Sequence, residues 1–106
     1  GLVGAPNLSA YVAAKHGIIG LTKAAALEYA KAGVRVNAVC PAMIDTPMSR
    51  EGLSADVRQM LMEQSPIGRF GEAADVASLV LWLCGVGGSN YVTGQAIAID
   101  GGWTTR

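Results

Sequence analysis

The apolar positions in the first third of the chain follow a helical pattern. An alanine-rich run without proline extends from residue 10 to about 32, and Gly33 follows a basic last turn. Glycine after such a turn is a common stop signal, so we predict a helix over 10–32 with Ser9 as its N-cap. Its apolar residues cover several faces, which indicates packing on both sides. Gly17 and Gly20 weaken a helix interior and make sense where another backbone comes close.

The rest of the pattern predicts short strands alternating with helices. Strands are predicted over 34–40 and 95–99, helices over 54–64 and 72–83, and loops over 1–8, 41–53 and 66–71. The first strand is β-branched and bounded by glycine and proline, and Ser54 is a plausible N-cap for the helix that follows it. A helix that ends in glycine and leads directly into a strand is typical of a βαβ unit. The pattern therefore predicts an α/β fold with a parallel sheet.

The predicted elements do not close a hydrophobic core by themselves. Parallel sheets are buried on both faces, and exposed strand edges favour aggregation. Two strands and three helices within 106 residues cannot flank such a sheet on both edges. We therefore expect the chain to be part of a larger sheet.

Composition and charge exclude several classes of protein. Hydrophobic residues make up 51% of the chain and charged residues only 15%, well below the usual quarter. Eight basic and eight acidic residues cancel, so nothing favours binding to nucleic acid or to a membrane surface, and no apolar run approaches the ~20 residues of a membrane span. Cys40 and Cys84 lie far apart in apolar runs, which favours buried, reduced thiols. The spacing of histidine and cysteine predicts no metal site.

Tyr11 and Lys15 stand four residues apart at the head of the predicted helix. Residues at i and i+4 share a helix face, so a phenol and an ammonium would lie one above the other. A phenol takes part in proton transfer near neutral pH when its anion is stabilised. A cation about 4 Å away and the positive end of a helix both do this. A tyrosine beside a lysine is also ordinary helix chemistry.

Several short motifs follow one another in order along the chain. They are Tyr11-x-x-x-Lys15, Val34 to Val39 leading into Pro41, Ile44 to Met48, Pro66 to Arg69, and Val92 to Gln95 running to Gly102. Each is weak alone, but their order and spacing together are specific. From Gly1 to Trp103 the chain resembles the C-terminal part of a short-chain dehydrogenase/reductase. The resemblance implies an α/β fold, the C-terminal part of a Rossmann-like doubly wound parallel sheet.

The resemblance also implies roles for single residues. The residues assigned to the cofactor are Tyr11, Lys15, Pro41, Ala42, Ile44 and Thr46. Tyr11 would be the general acid/base at the substrate oxygen, and Lys15 would stabilise its anion and bind the nicotinamide ribose. Pro41 and the Ile44 backbone would hold the nicotinamide, and Thr46 would add a hydroxyl contact. In open α/β sheets, ligands do bind outside the carboxyl ends of strands.

Alternatives stay open for several of these residues. Thr46 could be a turn residue without a ligand, and Asp45 and Arg69 could simply be solvated. Asn37 is expected to tie backbone together rather than touch a cofactor. The family usually has glycine where this chain has Ala42, and alanine is costly wherever the backbone needs a positive φ.

The family's glycine-rich phosphate loop has no counterpart between a strand and a helix of this chain. We therefore expect residues 1–106 to be the C-terminal part of a single NAD(P)-binding Rossmann domain that is inactive alone. The whole enzyme would be a cytoplasmic homo-oligomer, a dimer or tetramer. It would use NAD or NADP to transfer a hydride to or from a small alcohol or carbonyl substrate. The alternative is a non-catalytic piece that serves only oligomer contacts.

Overall fold

Helices alternate with short parallel strands, which confirms the predicted α/β class. The computed structural model describes residues 8–85 and 87–105, so most of the predicted loop over 1–8 lies outside the described residues. The helices are α1 (Ser9–Tyr29), α2 (Pro47–Gly52), α3 (Ala55–Gln64) and α4 (Ala73–Leu83), with 3-10 turns at Ala30–Ala32 and Trp103–Thr105. The strands are β1 (Ala38–Pro41), β2 (Ile44–Asp45), β3 (Gly71–Glu72) and β4 (Ala96–Ile99). None of the described helices is both long enough and apolar enough to cross a membrane.

The first helix differs from its prediction at the start and agrees at the end. Leu8 is the N-cap and makes no side-chain capping bond, so Ser9 is the first helical residue and its predicted capping role is wrong. At the other end, Gly33 adopts φ 80° and its N–H donates to Ala30 O. The predicted glycine stop is therefore confirmed.

The main sheet consists of β1 and β4, which pair in parallel from Ala38↔Ala96 to Pro41↔Ile99. Residues 34–37 precede the ladder, so β1 is shorter than predicted. Asn37 explains where the ladder begins. Its Nδ2 donates to Val92 O at 3.0 Å and its Oδ1 accepts from Gln95 N at 3.1 Å. As predicted, Asn37 ties two backbone segments together.

Arg35 fastens the turn that precedes β4 to the end of α4. Its Nη1 donates to the carbonyls of Ser89 and Val92, both at 3.1 Å, and its Nη2 donates to the carbonyl of Leu83 at 2.5 Å. Ser89 is fully buried, and its hydroxyl donates to Trp82 O. Side-chain donors thus satisfy carbonyls that no strand partner reaches.

The predicted loop over 41–53 is wrong, because it contains a strand and a helix. β2 pairs in parallel with β3, Ile44 with Gly71 and Asp45 with Glu72. Thr46 caps α2: its side chain accepts a hydrogen bond from Ser49 N, and Thr46 N in turn donates to the side chain of Ser49. Pro47 occupies the first helical position, where its missing N–H has no helical partner to lose. The sequence therefore carried a helix-start signal at Thr46 and Pro47.

Little apolar surface is buried within this chain. Among the described residues, the buried hydrophobic side chains are Ala26 and Phe70, while Leu27 on α1 is 82% exposed. The predicted packing of α1 on both sides is therefore not made by the residues described. A Cβ at Gly17 or Gly20 would meet nothing within 4 Å, so no described backbone lies close to either glycine.

Both cysteines are free, as predicted, but neither is fully buried, contrary to the prediction. Cys40 in β1 is half-buried, and Cys84 at the end of α4 is exposed.

We expect Gly33→Ala and Gly17→Ala to change stability in opposite directions. Gly33 has φ 80°, which an L residue rarely adopts, so alanine there should lower the free energy of unfolding by about 1 kcal/mol. Gly17 lies inside α1 with open space around it, and alanine there should raise stability by about 1 kcal/mol. Urea denaturation of both variants of the full-length protein measures this. A loss of the same size at Gly17 would show that another surface covers it.

Candidate active site

Tyr11 and Lys15 lie side by side in the first two turns of α1. Lys15 Nζ is 5.3 Å from the centroid of the Tyr11 ring. Tyr11 is the third residue of the helix, where unpaired N–H groups favour negative charge, and its side chain is 60% exposed. The spacing thus places a cation against a phenol at a helix N-terminus, with the phenol open to a reactant.

Four of the predicted site residues follow one another at the carboxyl end of β1. Pro41 and Ala42 are exposed, and Ala42 N donates to Ile99 O at 3.4 Å, which prolongs the pairing with β4. Ile44 and Thr46 are half-buried and flank Asp45. The six predicted residues thus form two groups, one on α1 and one at the end of β1, and these two elements contact each other.

Thr46 has a structural role that leaves its hydroxyl proton available. Thr46 Oγ1 accepts from Ser49 N at 3.2 Å, and Ser49 Oγ donates to Ile44 O and Thr46 O, both at 3.0 Å. An N-cap hydroxyl uses a lone pair, so it keeps a donor for another group. The capping role and a ligand contact are therefore compatible.

Asp45 belongs to an ion-pair cluster that sequence reasoning missed. Its Oδ1 accepts from Arg50 Nε at 2.8 Å and from Arg58 Nη2 at 2.9 Å. The hydrogen bond from Arg50, and then that from Arg58, hold the pKa of Asp45 below its usual value. Arg58 also stacks over Phe70, with 4.4 Å between guanidinium and ring centroid. Arg58 is 13 residues from Asp45, so no local spacing indicates this pair.

A cleft of about 260 Å³ lies beside this segment, between the ends of β2 and β4 and the start of α4. Of the predicted site residues, Ile44 lines it, together with Met43, Ser65, Ile67, Arg69, Gly71, Asp75, Ser78, Ile99, Asp100 and Gly101. A Cβ on Gly71 would lie 2.8 Å from Ile44 Cδ1, so glycine permits the close pairing of β2 with β3. Arg69 donates to Phe70 O at 2.9 Å and contacts Asp75 at 3.5 Å, so it is not merely solvated.

Asp100 organises the turn at the end of β4. It accepts from Thr104 Oγ1 at 2.7 Å, from Gly102 N at 2.9 Å and from Thr104 N at 3.0 Å. The pKa of Asp100 lies below its usual value of 3.8. The main cause is the hydrogen bond from the Thr104 hydroxyl, and the backbone donors contribute less. The carboxylate is therefore a structural acceptor at the rim of the cleft.

Comparison with known proteins identifies close relatives. Residues 1–104 match a family described as enoyl-(acyl carrier protein) reductase. The chain is 46% identical over 106 residues to cyclohexanol dehydrogenase from Acinetobacter sp. (strain SE19), which covers all of this chain and 40% of that protein. Two solved structures superpose closely. ElxO with NADP bound has a TM-score of 0.85 at 33% identity, covering 99% of this chain and 43% of that one. Aldohexose dehydrogenase from Thermoplasma acidophilum, in ligand-free form, has a TM-score of 0.85 at 37% identity, covering 98% and 44%.

These matches cover only part of each relative. The chain spans about two fifths of the length of the curated relatives it matches. It therefore resembles a large piece of each of them.

We expect Asp100→Asn to weaken the dependence of stability on acid. Folding lowers the pKa of Asp100 below 3.8, so the stability it contributes is complete above that value and is lost as the pH falls through the lowered pKa. Between about pH 4.5 and pH 2.5, the free energy of unfolding should fall more steeply in wild type than in the variant. Urea denaturation of the full-length protein across this range measures the slopes, with Asp56→Asn, an exposed site, as control. Equal slopes for Asp100→Asn and wild type would contradict the expectation.

Proposed function

The chain belongs to the short-chain dehydrogenase/reductase family, and we propose that it supplies the proton-transfer pair and part of the nicotinamide site of an NAD(P)-dependent oxidoreductase. The match to the family model over residues 1–104 supports the family. The observation that carries the proposed chemistry is the placement of Lys15 Nζ 5.3 Å from the Tyr11 ring in the first turns of α1.

The residues present fit a nicotinamide cofactor. The donors suited to a ribose and a carboxamide are the Lys15 ammonium, the Tyr11 hydroxyl and the Thr46 hydroxyl, which keeps its proton while capping α2. Pro41 and Ala42 are exposed at the carboxyl end of a parallel strand, which is the ligand-binding end of such sheets. A relative of known structure carries NADP. We propose NAD or NADP as the cofactor, held by Tyr11, Lys15, Pro41, Ala42, Ile44 and Thr46.

In the proposed reaction, Tyr11 exchanges a proton with the oxygen of a small alcohol or carbonyl substrate. The bound nicotinamide would supply the hydride chemistry. Lys15, whose Nζ lies over the Tyr11 ring, and the N-terminus of α1 would supply the positive charge that assists this proton exchange. The 60% exposure of Tyr11 leaves the substrate oxygen room to reach it.

We also propose that residues 1–106 form the C-terminal part of a single Rossmann domain. The chain spans about two fifths of its relatives. Within residues 8–85 and 87–105 each sheet contains two strands, whereas a parallel sheet needs cover on both faces. Exposed apolar side chains on α1, such as Leu21 at 68% and Leu27 at 82%, support contacts with further chain or with a second copy. A homo-oligomer is the proposed assembly of the full-length protein.

The competing proposal is a non-catalytic piece that serves only oligomer contacts. The exposed apolar surface of α1 favours it. A tyrosine substitution in the full-length protein separates the two, because a contact surface needs the ring whereas catalysis needs the hydroxyl.

In the full-length protein, we expect Tyr11→Phe to lower kcat by at least about a hundredfold, the scale of general acid–base catalysis. NADH or NADPH should still bind, with a Kd raised by no more than about tenfold, the size of one lost neutral hydrogen bond, since Lys15 and Thr46 remain. Steady-state kinetics and fluorescence titration measure both. Tyr29→Phe, at the exposed end of the same helix, is the matched control. Turnover of the Tyr11→Phe protein at the rate of the control would reject the acid/base role.

For the 106-residue chain alone, we expect neither cooperative unfolding nor binding of NADH or NADPH. Its buried apolar side chains among the described residues are only Ala26 and Phe70, too few to offset the entropy of folding. Thermal denaturation followed by circular dichroism, together with fluorescence titration, tests this. A single sharp transition with saturable NADPH binding would show that the piece is a complete domain.

A further inference from the structure

We propose that Arg58 is a positioning residue, which acts through Asp45 and Phe70 to hold the segment that carries Ile44 and Thr46. This rests on the function proposed above, since it concerns the alignment of two residues assigned to the cofactor. Arg58 contacts none of the six assigned residues in the described hydrogen bonds and ion pairs, so its effect passes through other side chains.

The first contact of Arg58 is with the residue between Ile44 and Thr46. Asp45 Oδ1 accepts from Arg58 Nη2 at 2.9 Å and from Arg50 Nε at 2.8 Å. The side chain of Arg58 is 24% exposed, and that of Arg50 is 60% exposed. An ion pair shielded from water is screened less than an exposed one. The hydrogen bond from Arg50 lowers the pKa of Asp45 more than that from Arg58 does. The Arg58 pair is, however, the less exposed of the two, and it is the one that ties β2 to α3.

The second contact of Arg58 is with Phe70, the residue that precedes β3. Its guanidinium lies 4.4 Å from the ring centroid of Phe70, a buried side chain with 6% exposure. Phe70 directly precedes Gly71, which pairs with Ile44. Arg58 thus contacts β2 by charge and the start of β3 by stacking, and it fixes the two short strands relative to each other.

The helix that carries Arg58 has little else to hold it. α3 contains no buried residue, and its N-terminus is capped by Ser54 from its own chain segment. Arg58 Nη1 is buried without a hydrogen-bond partner among the described residues, which costs free energy. The side chain keeps this position because its contacts with Asp45 and Phe70 outweigh that cost. Arg58 therefore links α3 to the segment that carries Ile44 and Thr46.

The test compares Arg58→Met with Arg50→Met in the full-length protein. Each variant removes one charged hydrogen bond to the same oxygen of Asp45. We expect Arg58→Met to raise the Kd for NADH or NADPH about tenfold, the size of one lost charged hydrogen bond, with kcat at saturation within about twofold. Arg50→Met should change Kd by less than about twofold, as for an exposed pair. Equal effects of the two variants would overturn the proposal.

A second measurement separates positioning from a general loss of stability. Hydrogen exchange in the cofactor-free protein should speed up at residues 44–46 in Arg58→Met and stay at the wild-type rate in the strands β1 and β4. Arg58→Lys, which keeps a charge but not the planar stack, should give an intermediate Kd. If Arg58→Met does not fold, Asp45→Asn removes, at constant size, the charge that Arg58 and Arg50 share and should give the same exchange pattern. Arg50→Met, which should leave exchange at 44–46 unchanged, then separates the two arginines. Unchanged exchange at 44–46 in the folded variant would overturn the proposal.

The hydrogen-exchange measurement also distinguishes failure of the positioning role from failure of the proposed function. A wild-type protein that binds neither NADH nor NADPH would reject the proposed function. Faster exchange at 44–46 in Arg58→Met would still support the positioning role in that case.

Discussion

The parallel pairing of β1 with β4 is the constraint on which the rest of the structure depends. It joins Ala38–Pro41 to Ala96–Ile99, so the carboxyl ends of two strands far apart in sequence lie at one edge. Parallel strands cannot be joined by a tight turn, and the 54 intervening residues supply β2, β3 and three helices. Arg35 and Asn37 hold the approach to β4 with side-chain hydrogen bonds, which add to the backbone bond from Gly94 N to Val36 O. The segment that carries Ile44 and Thr46 begins where this ladder stops.

Polar contacts, rather than a hydrophobic core, hold that segment in position. Thr46 and Ser49 cap α2 reciprocally, and Asp45 joins arginines from α2 and α3. Among the described residues, the buried apolar side chain in contact with this cluster is Phe70, over which Arg58 stacks. Directional bonds of this kind set the position of a short strand without a large apolar interface. They also leave the neighbouring residues Pro41 and Ala42 exposed at the strand end.

The elements that sequence predicted best are those with local signals. Neighbouring residues predict the helix stop at Gly33, after the 3-10 turn that follows α1. They also predict the Ser54 cap of α3 and the apolar helix α4. The short strands β2 and β3 were missed because two-residue strands carry no period, and their pairing depends on residues 27 positions apart. Ser9 was misplaced as a cap because helix ends are decided within one residue by the preceding backbone.

By itself the sequence determined the α/β class, the family and the shared face of Tyr11 and Lys15, since helical periodicity and ordered motifs are properties of the chain alone. Tertiary structure decided the rest. It chose which strands pair, and it gave Thr46 a capping role alongside the contact proposed for it. It also placed Arg58 between Asp45 and Phe70, although these residues carry no common spacing. The physical reason is that ion pairs and strand ladders form between segments whose proximity depends on the whole fold.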